Sequence, residues 1–252
     1  MLAQKFIFVC LALVTSSFAF SQSMNRVSFQ LQSSAAVTAG STHINFELVD
    51  TEGGKLLTPT DLNITHTKEL HLIAYDPSLQ EFQHVHPDFD GKSWSVDLSF
   101  SVNGNYFVWA QGQLNSGTID FNALTRISVS GGQPALSAPL LTDVRVGSDG
   151  ISVASLSSES LQVGQMAMLT LTFTRADGSP AQITPYLGAF AHVIATPEDG
   201  SSLLHVHPMD CSAPNEGMLH MDFPRAGAYR IWVQFIDAGL IRTVPLSVVV
   251  AQ

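Results

Sequence analysis

Positive charge is scarce in this chain, with 11 Lys and Arg against 21 Asp and Glu among 252 residues. A formal net charge of −10 without any Lys/Arg cluster argues against binding nucleic acid or an anionic membrane surface, since both need a basic face. Cysteine is scarcer still: Cys10 and Cys211 are the two in the chain. Cys10 lies in an N-terminal leader, so the mature chain can form no intramolecular disulfide and must be stabilised by its core. Also missing are the Gly-x-Ser-x-Gly elbow, the phosphate loop, the dinucleotide fingerprint and His-Glu-x-x-His. Asp88-Phe89-Asp90 and Met209-Asp210-Cys211 do not supply the Glu spacing that a cupin places after its His-x-His strand. A non-enzymatic protein is therefore expected.

The leader is read from Lys5, an apolar stretch from Phe6 to Val14, and the small-x-small site Ala19-Phe20-Ser21 before Gln22. Residues 1–21 are expected to be a signal peptide and the mature chain to be periplasmic or secreted. Its apolar stretch is too short to favour a membrane span, and none is expected in the mature chain.

What the chain does have is a duplicated histidine pattern. His71, His84, His86 and Pro87 repeat as His192, His205, His207 and Pro208, so six of the nine histidines fall in two matching sets. In register with these, Ala39-Gly40 matches Val163-Gly164, and Gly104-Asn105-Tyr106-Phe107-Val108-Trp109 matches Gly227-Ala228-Tyr229-Arg230-Ile231-Trp232. Short segments such as Ile44 to Leu48 and Leu169 to Phe173 alternate apolar and polar residues between Gly, Pro, Asp and Asn turns. About seven per half are expected, and no stretch has helical amphipathicity. The fold class is all-β, two tandem immunoglobulin-like antiparallel β-sandwiches after the signal peptide. Lobe 1 is expected over 24–130, a Ser/Gly/Pro/Ala linker over 131–141, and lobe 2 over 142–252. Tyr106 and Tyr229 resemble the tyrosine corner of such sandwiches, and Trp109 and Trp232 are expected to be core plugs.

Residues at i and i+2 of a strand share a face, so His84 with His86, and His205 with His207, can converge. If each pair returns as a hairpin against His71 or His192, three imidazoles share one face. Pro87 and Pro208, lacking an N–H, should end the pairing there. Three neutral imidazoles with an open position suit copper, zinc, nickel or iron. Met209, Cys211 and His220 are weaker additional donors in the second half. Together with Met218 and Met221, their softness puts copper ahead of zinc as the expected cofactor. His43 and His66 have no counterpart in the other half and are read as surface or packing residues. Two arrangements are open: one site per lobe, or a single composite site if the lobes pack pseudo-symmetrically.

Leu70-His71-Leu72-Ile73, Phe82-Gln83-His84-Val85-His86-Pro87, Pro185 to His192, Leu204-His205-Val206-His207-Pro208 and Tyr229-Arg230-Ile231-Trp232 together resemble a family of secreted bacterial two-lobed β-sandwich proteins, often labelled heavy-metal-binding or YtkA-like. The resemblance spans nearly the whole mature chain and implies metal. A periplasmic or secreted metal-binding or metal-handling protein is expected, its partner a metal ion. The alternative is a structural or interaction module of the cell envelope, partnered by an envelope protein, in which the histidines close their hairpins by hydrogen bonding.

Overall fold

The alternating segments become strands whose apolar residues point into one of two separate cores. The computed structural model describes residues 26–138, 140–210 and 214–252. The expected signal peptide and Cys211 lie outside them. The first half contributes β1 (Val27–Leu31), β2 (Ala36–Thr38), β3 (Gly40–Asp50), β4 (Lys55–Leu56), β5 (Leu70–Tyr75), β6 (Phe82–Val85), β7 (Asp88–Phe89), β8 (Trp94–Phe100), β9 (Gly104–Leu114) and β10 (Ile119–Ser130). The second contributes β11 (Val146–Ser148), β12 (Ser152–Leu156), β13 (Leu161–Gln162), β14 (Ala167–Arg175), β15 (Ile183–Thr184), β16 (His192–Pro197), β17 (Leu204–Val206), β18 (Met209–Asp210), β19 (Glu216–Met221), β20 (Gly227–Asp237) and β21 (Leu240–Ala251). Each half thus has more strands than the seven expected, because short edge segments pair as well. The one helical element among the described residues is a 3-10 turn at Pro59–Asp61.

Each lobe is a two-sheet sandwich. Lobe 1 stacks β1-β3-β8-β7, with β4 beside β3, on β2-β10-β9-β5-β6. Lobe 2 repeats the plan with β11-β12-β14-β19-β18 on β13-β21-β20-β16-β17, with β15 beside β20. Pairing is antiparallel except for the short parallel contacts of β2 with β10 and β13 with β21, the edge arrangement of an immunoglobulin-like sandwich. Ile44, Phe46, Leu72, Leu98 and Val108 centre the first core, and Leu169, Leu171, Val193, Ile231 and Val248 the second. The tyrosine corner is present in both copies. Tyr106 donates its hydroxyl to Val102 O at 3.3 Å, and Tyr229 to Arg225 O at 3.0 Å, four residues upstream in each case.

A third apolar cluster lies between the lobes: Ile73, Tyr75, Phe107 and Trp109 from the first pack with Ile194, Leu203 and Trp232 from the second, and Leu141 joins them. The two tryptophans are therefore buried, but in the interface rather than in the lobe cores where the sequence suggested them. Strands β5 and β16 are buried at all six positions. Leu70, Leu72 and Ala74 face the lobe core while His71, Ile73 and Tyr75 face the other lobe, the period-2 rule applied to a strand covered on both sides.

The interface has a pseudo-twofold axis. Thr67 and Gly188 occupy the same position of the repeat, 121 residues apart, and a Cβ on Gly188 would stand 3.1 Å from the Thr67 methyl. His71 and His192, also equivalent, face each other with ring centroids 6.3 Å apart. Contacts between equivalent residues are the mark of an isologous interface, formed here within one chain.

Candidate metal centre

Register places the histidines of each hairpin on one face. In lobe 1, β5 and β6 pair Leu72 with Val85 and Ile73 with His84, which puts His86 across from His71. In lobe 2, Val193 pairs with Val206 and Ile194 with His205, which puts His207 across from His192. Strands β6 and β17 end just before Pro87 and Pro208, as the missing N–H requires. That shared face looks onto the other lobe. The hairpins confront one another, so the two histidine sets lie side by side at the lobe interface.

Distances within each set are short. His71 Nδ1 lies 3.1 Å from His84 Nε2 and 3.2 Å from His86 Nε2. In lobe 2, His192 Nδ1 lies 3.1 Å from His205 Nε2 and 2.9 Å from His207 Nε2. Two groups of nitrogens fall within 4.8 Å of one another throughout: His71, His84 and His86, all from lobe 1, and His84, His192 and His205, which spans the lobes. Two nitrogens bound about 2.0 Å from one ion at a tetrahedral angle stand about 3.3 Å apart. The observed spacing is close to that of ligands sharing an ion.

The far nitrogens fix the tautomers. His71 Nε2 is 3.1 Å from Thr65 O and His192 Nε2 is 3.0 Å from Tyr186 O. A carbonyl only accepts, so Nε2 carries the proton and Nδ1 of each neutral ring is bare. These carbonyls are presented by matching tight turns, Thr65 to Lys68 and Tyr186 to Ala189, with left-handed residues at His66, Thr67, Leu187 and Gly188. His84 Nδ1 lies 3.0 Å from Gln234 Oε1 of the other lobe, and the Gln234 amide nitrogen in turn donates to Thr243 Oγ1 at 3.3 Å. His205 Nδ1 meets Gln111 Oε1 at 2.5 Å, the same bond reversed across the axis. Nε2 of His84 and of His205 then faces a bare Nδ1 at 3.1 Å, a separation that suits two nitrogens joined by a shared proton and equally two ligands of one ion.

Burial keeps these rings neutral. His71, His84 and His192 are buried and His86, His205 and His207 half-buried. Loss of hydration pushes the His86 imidazole down to about 3, His192 to about 4 and His207 to about 2. His84 and His205 are pushed well below the ordinary histidine value by the same cause, reinforced by the neighbouring imidazoles. A neutral ring with a free lone pair is the form that binds metal.

His66, read from sequence as a surface or packing residue, belongs to the cluster's rim. Its ring stacks on His207 of the other lobe with centroids 3.3 Å apart. It lines a cavity of about 340 Å³ together with His71, His205, His207, Asp120 and Asn122. Asn122 Oδ1 is buried there with no hydrogen-bond partner among the described residues. His66 could not be singled out by spacing, because the ring it stacks on comes from the other half. A usable signal for the interface was the unbroken apolar run Leu72-Ile73-Ala74-Tyr75, which lacks the alternation of a strand with one wet face.

The weaker donors lie elsewhere. Past Pro208 the chain crosses to the opposite sheet of lobe 2, where Met209 on β18 and His220 on β19 point outward to solvent. They do not complete the histidine cluster. Asp97, equivalent to His220, is likewise exposed and is 2.8 Å from His43, well away from the histidine cluster.

A family model described as a domain of unknown function, DUF8832, matches residues 22–128 and again 145–252. The chain belongs to this family, with two copies of its domain. No curated protein matches it. Among solved structures, fibronectin(III)-like modules of Clostridium thermocellum CbhA are 14% identical, covering 88% of this chain and 93% of theirs, with a TM-score of 0.22. The Escherichia coli adhesin FdeC is 15% identical over 90% of this chain and 65% of its own, with a TM-score of 0.28. Superposition that loose carries no functional argument, and the immunoglobulin-like assignment rests on the strand order and the tyrosine corners described above.

Proposed function

We propose that this is a secreted or periplasmic metal-binding protein whose two lobes together hold a transition-metal ion in the interlobe histidine cluster, as a binding and handling protein rather than an enzyme. The observation that carries the reading is the convergence of imidazoles from both lobes, His84 of the first with His192 and His205 of the second, whose nitrogens lie within 4.8 Å of one another. Outward bonds to a carbonyl or a glutamine oxygen are how metal-binding histidines are held in the correct tautomer. An all-imidazole donor set binds Cu(II) above Zn(II) in the usual affinity order, which favours copper. The resemblance to proteins labelled heavy-metal-binding points the same way.

The test is metal content by mass spectrometry on the mature protein after exposure to copper and zinc, compared with a His84→Ala/His205→Ala variant shown by circular dichroism to be folded. Bound metal in the parent and its loss in the variant are expected. Unchanged uptake in the variant would sink the reading.

One observation favours a second reading, a structural or interaction module of the cell envelope. The apolar cluster around Ile73, Tyr75, Trp109 and Trp232 joins the lobes without any metal. On that reading, adding copper or zinc leaves the melting temperature where it was, whereas a bound ion raises it.

A further inference from the structure

The outer face of the β11-β12-β14-β19-β18 sheet in lobe 2 carries an unusual set of side chains. Register pairs Met168 on β14 directly with His220 on β19, and Met218 on β19 directly with Met209 on β18. Met218 and His220 are two apart on one strand and so share a face, which the buried Gly217, Leu219 and Met221 between and beside them place outward. Met168 is 54% exposed and Met209 52%, while His220 is exposed and Met218 half-buried. Directly opposed residues have Cβ atoms about 5 Å apart and diagonal ones about 7 Å, within reach of a side chain with three rotatable bonds, while Met168 and Met209 flank β19 about 10 Å apart and would both have to lean inward over it.

The duplicated lobe is an internal control. The same positions of the lobe 1 sheet are filled by His43 for Met168, Asp97 for His220, Ser95 for Met218 and Asp88 for Met209, as the matching pairs His43 with Asp97 and Asp88 with Ser95 establish. The lobe 1 face is ordinary polar surface, and His43 and Asp97 bond each other at 2.8 Å. The core positions between them stay apolar in both copies: Ile44 and Phe46 in β3, Leu169 and Leu171 in β14. The fold therefore does not require methionine on this face. Packing explains Met221, which is 1% exposed, but it does not explain three methionines placed beside one histidine on an outward face.

We propose that Met168, Met209, Met218 and His220 form a second metal site, open to solvent and distinct from the interlobe cluster, for a soft monovalent cation of the Cu(I) type. Thioether sulfur is a neutral, polarisable donor that selects Cu(I) over hard or borderline dications. With one imidazole and no carboxylate among the four donors, the site offers no negative charge to compensate a dication. This inference does not rest on the interlobe reading, and either can fail alone.

The experiment is titration of the mature chain with Ag(I), a redox-inert stand-in for Cu(I), followed by the methionine methyl signals in a proton–carbon NMR spectrum. The expected result is that the methyls of Met168, Met209 and Met218 shift together and saturate at one ion, while Met221 in the core stays still. A Met168→Leu/Met209→Leu/Met218→Leu variant keeps the volume of the side chains. It should leave no saturating shift of the His220 ring signals, while copper and zinc uptake by the interlobe histidines is retained. His220→Ala should weaken the methyl response without altering the melting temperature. Methyl signals that ignore Ag(I), or a His220 response that survives in the triple variant, would overturn the proposal. So would shifts that follow protein concentration instead of the ion, which would make the face a self-association surface.

Discussion

Tyr75 Oη and Thr196 Oγ1 stand 3.1 Å apart across the lobe interface and are the same position of the repeat, 121 residues apart. Tyr75 is held from both lobes. Its hydroxyl accepts from Trp109 Nε1 at 2.8 Å and lies 3.1 Å from the carbonyl of Gly200 in lobe 2. Gly200 has φ +67°, and a Cβ there would stand 2.5 Å from the Phe107 ring. Gly200→Ala is expected to cost roughly 2–4 kcal/mol through the left-handed backbone and the overpacked ring. Because the lobes meet here, it should also weaken metal uptake at histidines it does not touch. Calorimetry and metal titration of the same variant check both parts.

The glutamines that cross the axis are the next lever. Gln234→Leu removes the acceptor for His84 Nδ1, and Gln111→Leu the acceptor for His205 Nδ1, without changing a ligand. Freed from its partner, each ring can place its proton on Nε2, the nitrogen that faces the cluster. Affinity in a chelator competition should fall roughly 10–100-fold for either variant.

Acid should destabilise the metal-free protein. The cluster histidines have folded values below their unfolded one, His192 at about 4 and His86 at about 3. Between those values and about 6.5 the unfolded chain binds protons that the folded one refuses, so stability falls as pH drops through that window. Urea midpoints in the presence of a chelator should decline steadily from pH 7 to pH 4. A His84→Ala/His205→Ala variant should decline less steeply over the same range.

Thr67 occupies a left-handed conformation, φ +69°, where its counterpart is Gly188 at φ +74°. A β-branched residue is strained there. Thr67→Gly should raise stability by about 1 kcal/mol, measurable as an increased urea midpoint with an unchanged slope. The Thr65 carbonyl that orients His71 stays in place.

Much of this was legible in the sequence. Alternation in Ile44 to Leu48 and Leu169 to Phe173 correctly gave strands with one face in a core, and the two Gly-x-Tyr entries gave the corners. The histidine hairpins were legible too, because the i, i+2 rule and the following prolines leave little freedom. What the sequence did not disclose was the direction in which the hairpins look. Ile73, Trp109 and Trp232 are apolar whether they fill a lobe or join two lobes, and hydrophobicity is blind to the difference. Gln111 and Gln234 carried no signal, since an amide becomes informative only when the ring it orients comes from the other half. Met209 and His220 follow the second hairpin closely in the chain, and that proximity suggested one site. The crossing of the sandwich after Pro208 separates them.

The pseudo-twofold axis that relates His71 to His192 gives the chain the form of a dimer with its two units joined end to end. Two identical subunits would have to present the same residues on both sides of their shared site. Joined copies are under no such obligation, and these have diverged where it matters. One mouth of the histidine cluster is lined by His66, Asp120 and Asn122, while the corresponding positions across the axis hold Leu187, Ile241 and Thr243. The repeat thus gives a nearly symmetric histidine cluster a front and a back.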